Sequence, residues 1–354
     1  MTGTRESRSA KRPPSMAVRI GKVLYWILFV LSAIVVGCYI GLKSWAKPPK
    51  PKPPEPTQVM VTIQPTDNPD TKEDESQGEP TTVSVVATKT RKKDCYTFLV
   101  MGMDDGNGNT DTIMAVTFDV KGKHVSVISI PRDTLVDVPR TIKKINAAYS
   151  TGGIEEVQKE VSGILGFPVD HYITVNLRGF KALVDAVGGV DFEVPINMNY
   201  DDPTQNLHIH LSKGMQHLDG EKALQLVRFR SGYANADIGR IETQQKFLKA
   251  LAKKLISWDS VTKINQFVDI FAKNVKTDLD VGNLAYFGLA ALDLDMSTGI
   301  SMNTLPGNGL VTYKGIPYYY ELYPRQVLDI INQSGANPYT EDLTLEDTNI
   351  FQVP

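Results

Sequence analysis

At 354 residues, with 42% hydrophobic and 22% charged residues, the chain has the composition of a globular protein and room for one large or two ordinary domains. A formal net charge of -2 excludes a global basic field for nucleic acid, so any anion recognition must come from locally clustered arginines. Cys38 and Cys95 exclude a disulfide framework, since the first lies in an apolar run and the second far beyond it.

That apolar run comes early. Residues 23–42 carry no charge, and about 20 such residues are what a helix needs to cross a bilayer core. Arg5, Arg8, Lys11, Arg12, Arg19 and Lys22 precede it against the single acid Glu6, while Lys43, Lys47, Lys50 and Lys52 follow it. The positive-inside rule then predicts a cytoplasmic tail over 1–22, one transmembrane helix over 23–42, and an external bulk. Tyr25, Trp26 and Trp45 suit the two interfaces. A cleaved signal peptide is the competing reading, but its apolar core is usually shorter, about 7–15 residues. Ser44-Trp45-Ala46 also makes a poor cleavage site, so an uncleaved signal anchor is expected.

Prolines and the acidic stretch Thr71-Lys72-Glu73-Asp74-Glu75 mark 43–94 as a spacer that buries too little surface to fold. The folded part, 95–340, opens on the buried-strand pattern Tyr96-Thr97-Phe98-Leu99-Val100-Met101. Residues 112–119 and His124–Ile130 form a hairpin pattern around Val120-Lys121-Gly122-Lys123. Ile154, Val157, Val161, Ile164 and Leu165 recur at helical spacing until Gly166 and Pro168 stop them. A strand is expected at 172–177, a helix through Phe180, Leu183, Val184 and Val187 to Gly188-Gly189, and a strand over Val190–Val194. Asp219 can cap a helix through Ala223, Leu224 and Val227; a longer helix from near Asp237 turns Ile241, Leu248, Leu251 and Leu255 inward. Helices near 261–271, 281–292 and 326–333, a turn at Pro306-Gly307 and a loose tail over 341–354 complete the reading. The alternation predicts an α/β fold: a mixed central β-sheet flanked by helices in α/β/α layers, preceded by the single transmembrane helix.

Three features bear on chemistry. Gly102-Met103-Asp104 follows one strand and Asp111-Thr112 opens the next, so two carboxylates at adjacent strand mouths can share a hard cation. Taken alone, aspartates in such loops are most often turn formers. Ser129-Ile130-Pro131-Arg132-Asp133 puts an arginine where proline stops a strand, aimed at an edge or cleft, or else paired with Asp133. Most telling, Arg228 and Arg230 leave a helix end, and Asp237, Arg240 and Gln244 stand at i, i+3 and i+7 of the next helix. Guanidiniums gathered together repel one another without an anion, and arginine suits bidentate phosphate. The plain alternative is a solvated helix face. His208 and His210 alternate on a strand, but no third zinc ligand stands at a useful sequence spacing. Tyr313, Tyr318, Tyr319, Tyr320 and Tyr323 read as packing rather than a sugar platform, and no Gly-x-Ser-x-Gly elbow, Walker loop or dinucleotide fingerprint is present.

In order and spacing, the run Phe98 to Asp104, Asp111-Thr112, Ser129 to Asp133, Lys144-Ile145-Asn146-Ala147-Ala148-Tyr149, Gly152-Gly153, Gly188-Gly189-Val190, Leu218-Asp219-Gly220-Glu221, Arg228-Phe229-Arg230 and Asp237 to Gln245 resembles the LytR-CpsA-Psr family. Leu305-Pro306-Gly307 and Asn337-Pro338-Tyr339 extend the likeness. The resemblance implies an extracytoplasmic, membrane-anchored phosphotransferase that moves a glycopolymer, such as wall teichoic acid or capsular polysaccharide, from a polyprenyl-pyrophosphate carrier onto peptidoglycan through a phosphodiester. It implies Mg²⁺, or Mn²⁺, held by Asp104 and Asp111. It also implies a pyrophosphate ringed by Arg132, Lys144, Arg228, Arg230, Arg240 and Gln244, with Arg132, Asp237 and Arg240 in catalytic roles and Asp237 as base or orienter. The family often has basic residues after its first aspartate and before its second, where this chain has Asp105-Gly106 and Asn109-Thr110. That departure motivates one rival reading, a non-catalytic polyprenyl-phosphate-binding regulator; a lipid pyrophosphatase, which releases phosphate rather than transferring sugar, is a second.

Overall fold

The structure, a computed structural model, describes residues 41, 44–53, 57–63, 81–87, 89–103, 110–203, 207–233, 237–256 and 264–353. The expected tail 1–22 and, Gly41 apart, the expected transmembrane helix 23–42 lie outside them; no described helix is long and apolar enough to cross a membrane. Two compact units are present. Among the described residues, the smaller brings 44–49 to Asp280–Gly288, where Lys47 N donates to Gly282 O at 3.2 Å and Asn283 Nδ2 donates to Lys47 O at 2.9 Å. The larger comprises Lys50–Leu279 and Leu289–Pro354 and carries the sheet.

In chain order the strands are β1 (Thr57–Ile63), β2 (Thr81–Ala87), β3 (Cys95–Met103), β4 (Thr110–Asp119), β5 (His124–Ile130), β6 (His171–Asn176), β7 (Val190–Val194), β8 (Met198–Asp202), β9 (Leu207–Leu211), β10 (Gly214–Leu218), β11 (Val275–Thr277), β12 (Ile300–Thr304), β13 (Gly307–Tyr313) and β14 (Ile316–Leu322). The helices are α1 (Ala148–Leu165), α2 (Leu177–Ala186), α3 (Gly220–Arg228), α4 (Asp237–Leu255), α5 (Ile264–Asn274), α6 (Val281–Ala291) and α7 (Pro324–Gln333). Six strands form one mixed sheet in the order β11-β6-β3-β4-β5-β12, with β3–β6 and β5–β12 parallel and the other pairs antiparallel.

Strand alternation divides the sheet's two faces. On one, Leu99, Met101, Ile113, Ala115, Ile128 and Ile130 pack with Val157, Val161, Ile164 and Leu165 of α1 and Val327 and Ile331 of α7. On the other, Thr112, Met114 and Ser129 face Ile241 and Leu248 of α4 across a small cavity. A second core joins Val190, Phe192 and Val194 of β7 to Met198, Ile209, Leu218, Phe229, Phe247 and Leu251. The expected central mixed sheet flanked by helices is therefore present.

Local signals explain several boundaries. Gly166 ends α1 in the left-handed region at φ 77°, where a side chain is strained. The Asp219 side chain accepts from Lys222 N at 2.9 Å and caps α3. A Cβ on Gly220 would strike the Lys181 carbonyl, so glycine lets α3 start flush against α2.

Other expectations need correction. The spacer 43–94 contains a paired element, with Thr57 opposite Ala87 and Ile63 opposite Thr81. Its last residues join the domain, because Arg91 bonds Asp170 and Thr340 N donates to Thr90 O at 2.9 Å. The tail expected to be loose is packed: Leu343 is buried, Asn349 N donates to Gly163 O, and Val353 N donates to Glu321 Oε1. Asp170 supports this closure. Its carboxylate accepts from Lys52 N, Thr97 N, Thr97 Oγ1 and Arg91, and its side chain is fully buried. We expect Asp170→Ala to lower unfolding free energy by about 3–5 kcal/mol in urea denaturation, because it removes the acceptor of buried Thr97 and the charge partner of half-buried Arg91. A loss below about 1 kcal/mol contradicts that role.

Candidate active site

The carboxyl ends of the parallel strands β3 and β6, the end of β5 and the start of β4 meet at one edge of the sheet. Open α/β sheets bind ligands at such ends. Here a cavity of about 180 Å³ is lined by Gly102 and Met103 of β3, Thr112 of β4, Arg228, Arg230, Arg240 and Gln244. Leu177, Tyr200, Leu207 and Val227 supply its apolar wall. A smaller cavity adjoins it, sharing Thr112, Arg240 and Gln244 and adding Ser129, Pro131 and Arg132. Four of the expected arginines and Gln244 thus converge.

Each arrives by a separate device. The β4–β5 ladder ends at Ile113–Ile130, and Pro131 releases the chain so that Arg132 reaches the small cavity. Buried Phe229 separates half-buried Arg228 from exposed Arg230, so an extended step after α3 sends both arginines the same way. Arg240 is only 4% exposed and sits on the stripe shared with Gln244. Gln244 Nε2 donates to Val227 O at 2.7 Å, tying α4 to the end of α3. Gln245 Nε2 donates to Ser129 Oγ and Asn303 O, both at 3.0 Å, and to Thr304 Oγ1 at 3.2 Å, tying α4 to β5 and β12.

Lys144 has a different setting. It lines neither cavity; its Nζ lies 2.9 Å from Asp133 Oδ1 and 5.5 Å from the Tyr319 ring centroid. Asp133 also reaches Arg132 Nε at 3.5 Å, so one carboxylate links both cations at the rim. The Arg132–Asp133 pair is the alternative the sequence offered; the Lys144 arm of the bridge and the brace behind it were not anticipated. Arg140 bonds both oxygens of Glu160 and donates to Lys144 O at 2.7 Å. Burial pushes the Glu160 carboxyl up, and the hydrogen bonds and charge of Arg140 pull the other way.

Tyr233 was also missed. It packs edge-on against Phe229, and a Cβ on Gly239 would stand 2.9 Å from its ring, so glycine at the first turn of α4 admits the close approach. Burial raises its phenol pKa, opposed by Thr243 and by the nearby Arg240 charge.

Asp104 lies outside the described residues, as do the side chains of Asp111 and Asp237. Their backbone setting is informative. Gly102 pairs with Thr112 and Met103 with Thr110, so Asp111 is the extra residue of a β-bulge, a device that re-aims a side chain beside active sites. By donor chemistry alone, a pair of aspartates suits an oxygen-ligated cation such as Mg²⁺. Asp237 is the first residue of α4, one turn before Arg240.

A model of the LytR_cpsA_psr family matches residues 59–335. The chain belongs to the LytR-CpsA-Psr family. It is 31% identical over 304 residues to the polyisoprenyl-teichoic acid–peptidoglycan teichoic acid transferase TagU of Bacillus anthracis, covering 84% of this chain and 92% of that one. The crystal structure of B. subtilis TagV is 30% identical, with a TM-score of 0.60 over 71% of this chain and all of that one (100%). A structure of TagT bound to LI-WTA is 25% identical, with a TM-score of 0.54, covering 69% of this chain and 92% of that one. In this LytR-CpsA-Psr protein the matched stretch includes every arginine of the two cavities.

The Arg140–Glu160 brace yields a paired test. Arg140→Ala is expected to cost about 3–5 kcal/mol in urea denaturation by stranding Glu160, whereas Arg140→Met with Glu160→Leu recovers most of that loss. Equal losses in both variants contradict the ion-pair account.

Proposed function

We propose that this protein transfers a glycopolymer from a polyprenyl-pyrophosphate carrier to peptidoglycan, with its catalytic domain held outside the membrane by the 23–42 anchor. Membership of the LytR-CpsA-Psr family makes it an enzyme of the phosphotransferase class. The observation that carries the specific reading is the meeting of Arg228, Arg230 and Arg240 in one cavity with an apolar wall, with Arg132 in the adjoining one. Guanidiniums brought this close favour an anion of high charge density. Met103, Leu177, Leu207 and Val227 offer a prenyl chain somewhere to lie, and each buried CH₂ contributes about 0.8 kcal/mol.

In this reading the arginines grip the diphosphate oxygens and neutralise the charge that spreads over them in the transition state. Asp104 and Asp111 would hold Mg²⁺, which would supply further neutralisation. The acceptor hydroxyl oxygen forms a bond to the phosphorus bearing the glycopolymer. The bond from that phosphorus to the bridging oxygen breaks, and polyprenyl monophosphate leaves with the electron pair. Asp237 is proposed to take the hydroxyl proton or to orient Arg240. Lys144, paired with Asp133 beside Arg132, adds positive charge at the rim of this site.

Transfer by the full chain in lipid nanodiscs, from a polyprenyl-pyrophosphate oligosaccharide to peptidoglycan, tests this reading. Arg132→Ala and Arg240→Ala are each expected to lower wall-linked product by about 10²–10³-fold, and chelation of Mg²⁺ to abolish it. Arg132 is half-buried, so its variant keeps the test valid should removal of buried Arg240 disturb folding. Unchanged transfer in both variants overturns the proposal. Release of free phosphorylated glycan without wall linkage, with acceptor present, identifies a pyrophosphatase instead.

A further inference from the structure

Away from the arginine cavities, the β8–β9 hairpin assembles a donor set that linear spacing conceals. His208 and His210 are two residues apart on β9 and share its exposed face. The antiparallel register sets Asp201 of β8 directly opposite His208, and Asn199 opposite His210. Asp201 thereby becomes the third ligand that the sequence spacing did not reveal.

Both imidazoles address a single carboxylate oxygen. Asp201 Oδ1 lies 2.6 Å from His208 Nδ1 and 3.2 Å from His210 Nε2. One ligand atom from each of the three residues falls within 4.8 Å of the others, and no other such group occurs among the described residues. A tetrahedral ion with bonds of about 2.0–2.1 Å needs donors about 3.3 Å apart, which small rotations of these half-open side chains supply. Side-chain exposures of 53%, 56% and 58% for Asp201, His208 and His210 leave a fourth position open to water.

We propose that Asp201, His208 and His210 form a binding site for a late first-row divalent cation, Zn²⁺ in the first instance. Two imidazoles and one carboxylate suit zinc, whereas Mg²⁺ demands oxygen ligands. The site is independent of the transferase reading. It has a consequence for the cavity, because Tyr200 and Leu207, which alternate with the ligands, line its apolar wall. A cation clamping β8 to β9 therefore stiffens that wall.

Calorimetric titration of the chelator-stripped full chain with Zn²⁺ tests the site, with Co²⁺ absorption as a second readout of imidazole ligation. Wild type is expected to bind Zn²⁺ at about micromolar affinity or tighter. Loss of an outer-shell partner alone costs about 10–100-fold, so His208→Ala and His210→Ala should each weaken binding by at least about 100-fold. His217→Ala removes an exposed histidine paired with Asp191 elsewhere and should leave binding unchanged. Backbone amides of β8 and β9 should gain hydrogen-exchange protection on Zn²⁺ addition, and Mg²⁺ should not compete. Absence of Zn²⁺ binding by wild type overturns the proposal. So do His208 and His210 variants that bind as wild type, an equal loss in His217→Ala, or displacement by Mg²⁺.

Discussion

One side-chain amide ties helix α4 to two strands of the sheet. The Gln245 side chain bonds Ser129, Asn303 O and Thr304, joining the helix to two neighbouring strands at their carboxyl ends. Gln244, one residue earlier, holds the end of α3 through Val227 O. Between these attachments the helix has little freedom to roll, and buried Arg240 is set at the boundary shared by the two cavities. Arg228 and Arg230 come with α3, and Arg132 comes with β5. The site therefore depends on neutral hydrogen bonds that position a helix, and the cations follow from that placement.

Preorganisation explains why so much charge is tolerated. Arginines held by packed elements have already met the repulsion between them during folding, and an incoming diphosphate relieves it. At the rim, Asp133 holds Arg132 and Lys144 in a common network, and the Arg140–Glu160 pair fixes the loop beneath. The apolar half of the larger cavity comes from β8, β9 and the α2 and α3 ends, so lipid and phosphate recognition draw on different elements.

Where a residue's role is local, it was readable from the chain. Gly166 stops α1, Asp219 caps α3, Pro131 ends the β5 ladder, and the Arg240–Gln244 stripe reaches the cavity. Roles set by distant partners were not. Val190–Val194 is a strand as expected, yet it pairs with β10 outside the central sheet. The β13–β14 hairpin passed as a tyrosine cluster, although Lys314 and Gly315, at φ 49° and 79°, form the two-residue turn that should have signalled it. Phe247, the fully buried anchor of α4, belongs to a second apolar stripe facing β7 that the single-stripe reading overlooked. The packed tail and the Asp201 partner of two histidines required contacts across many residues, which periodicity does not encode.

Cooperation between guanidiniums from different elements is the physical core of this account, and a double-mutant cycle reads it directly. The quantity is the affinity of a short-chain polyprenyl pyrophosphate for wild type, Arg132→Ala, Arg228→Ala and the double variant. One shared diphosphate predicts an interaction energy of at least about 1 kcal/mol between residues that line different cavities. Strictly additive losses, within about 0.5 kcal/mol, would mean that the two arginines serve separate anions.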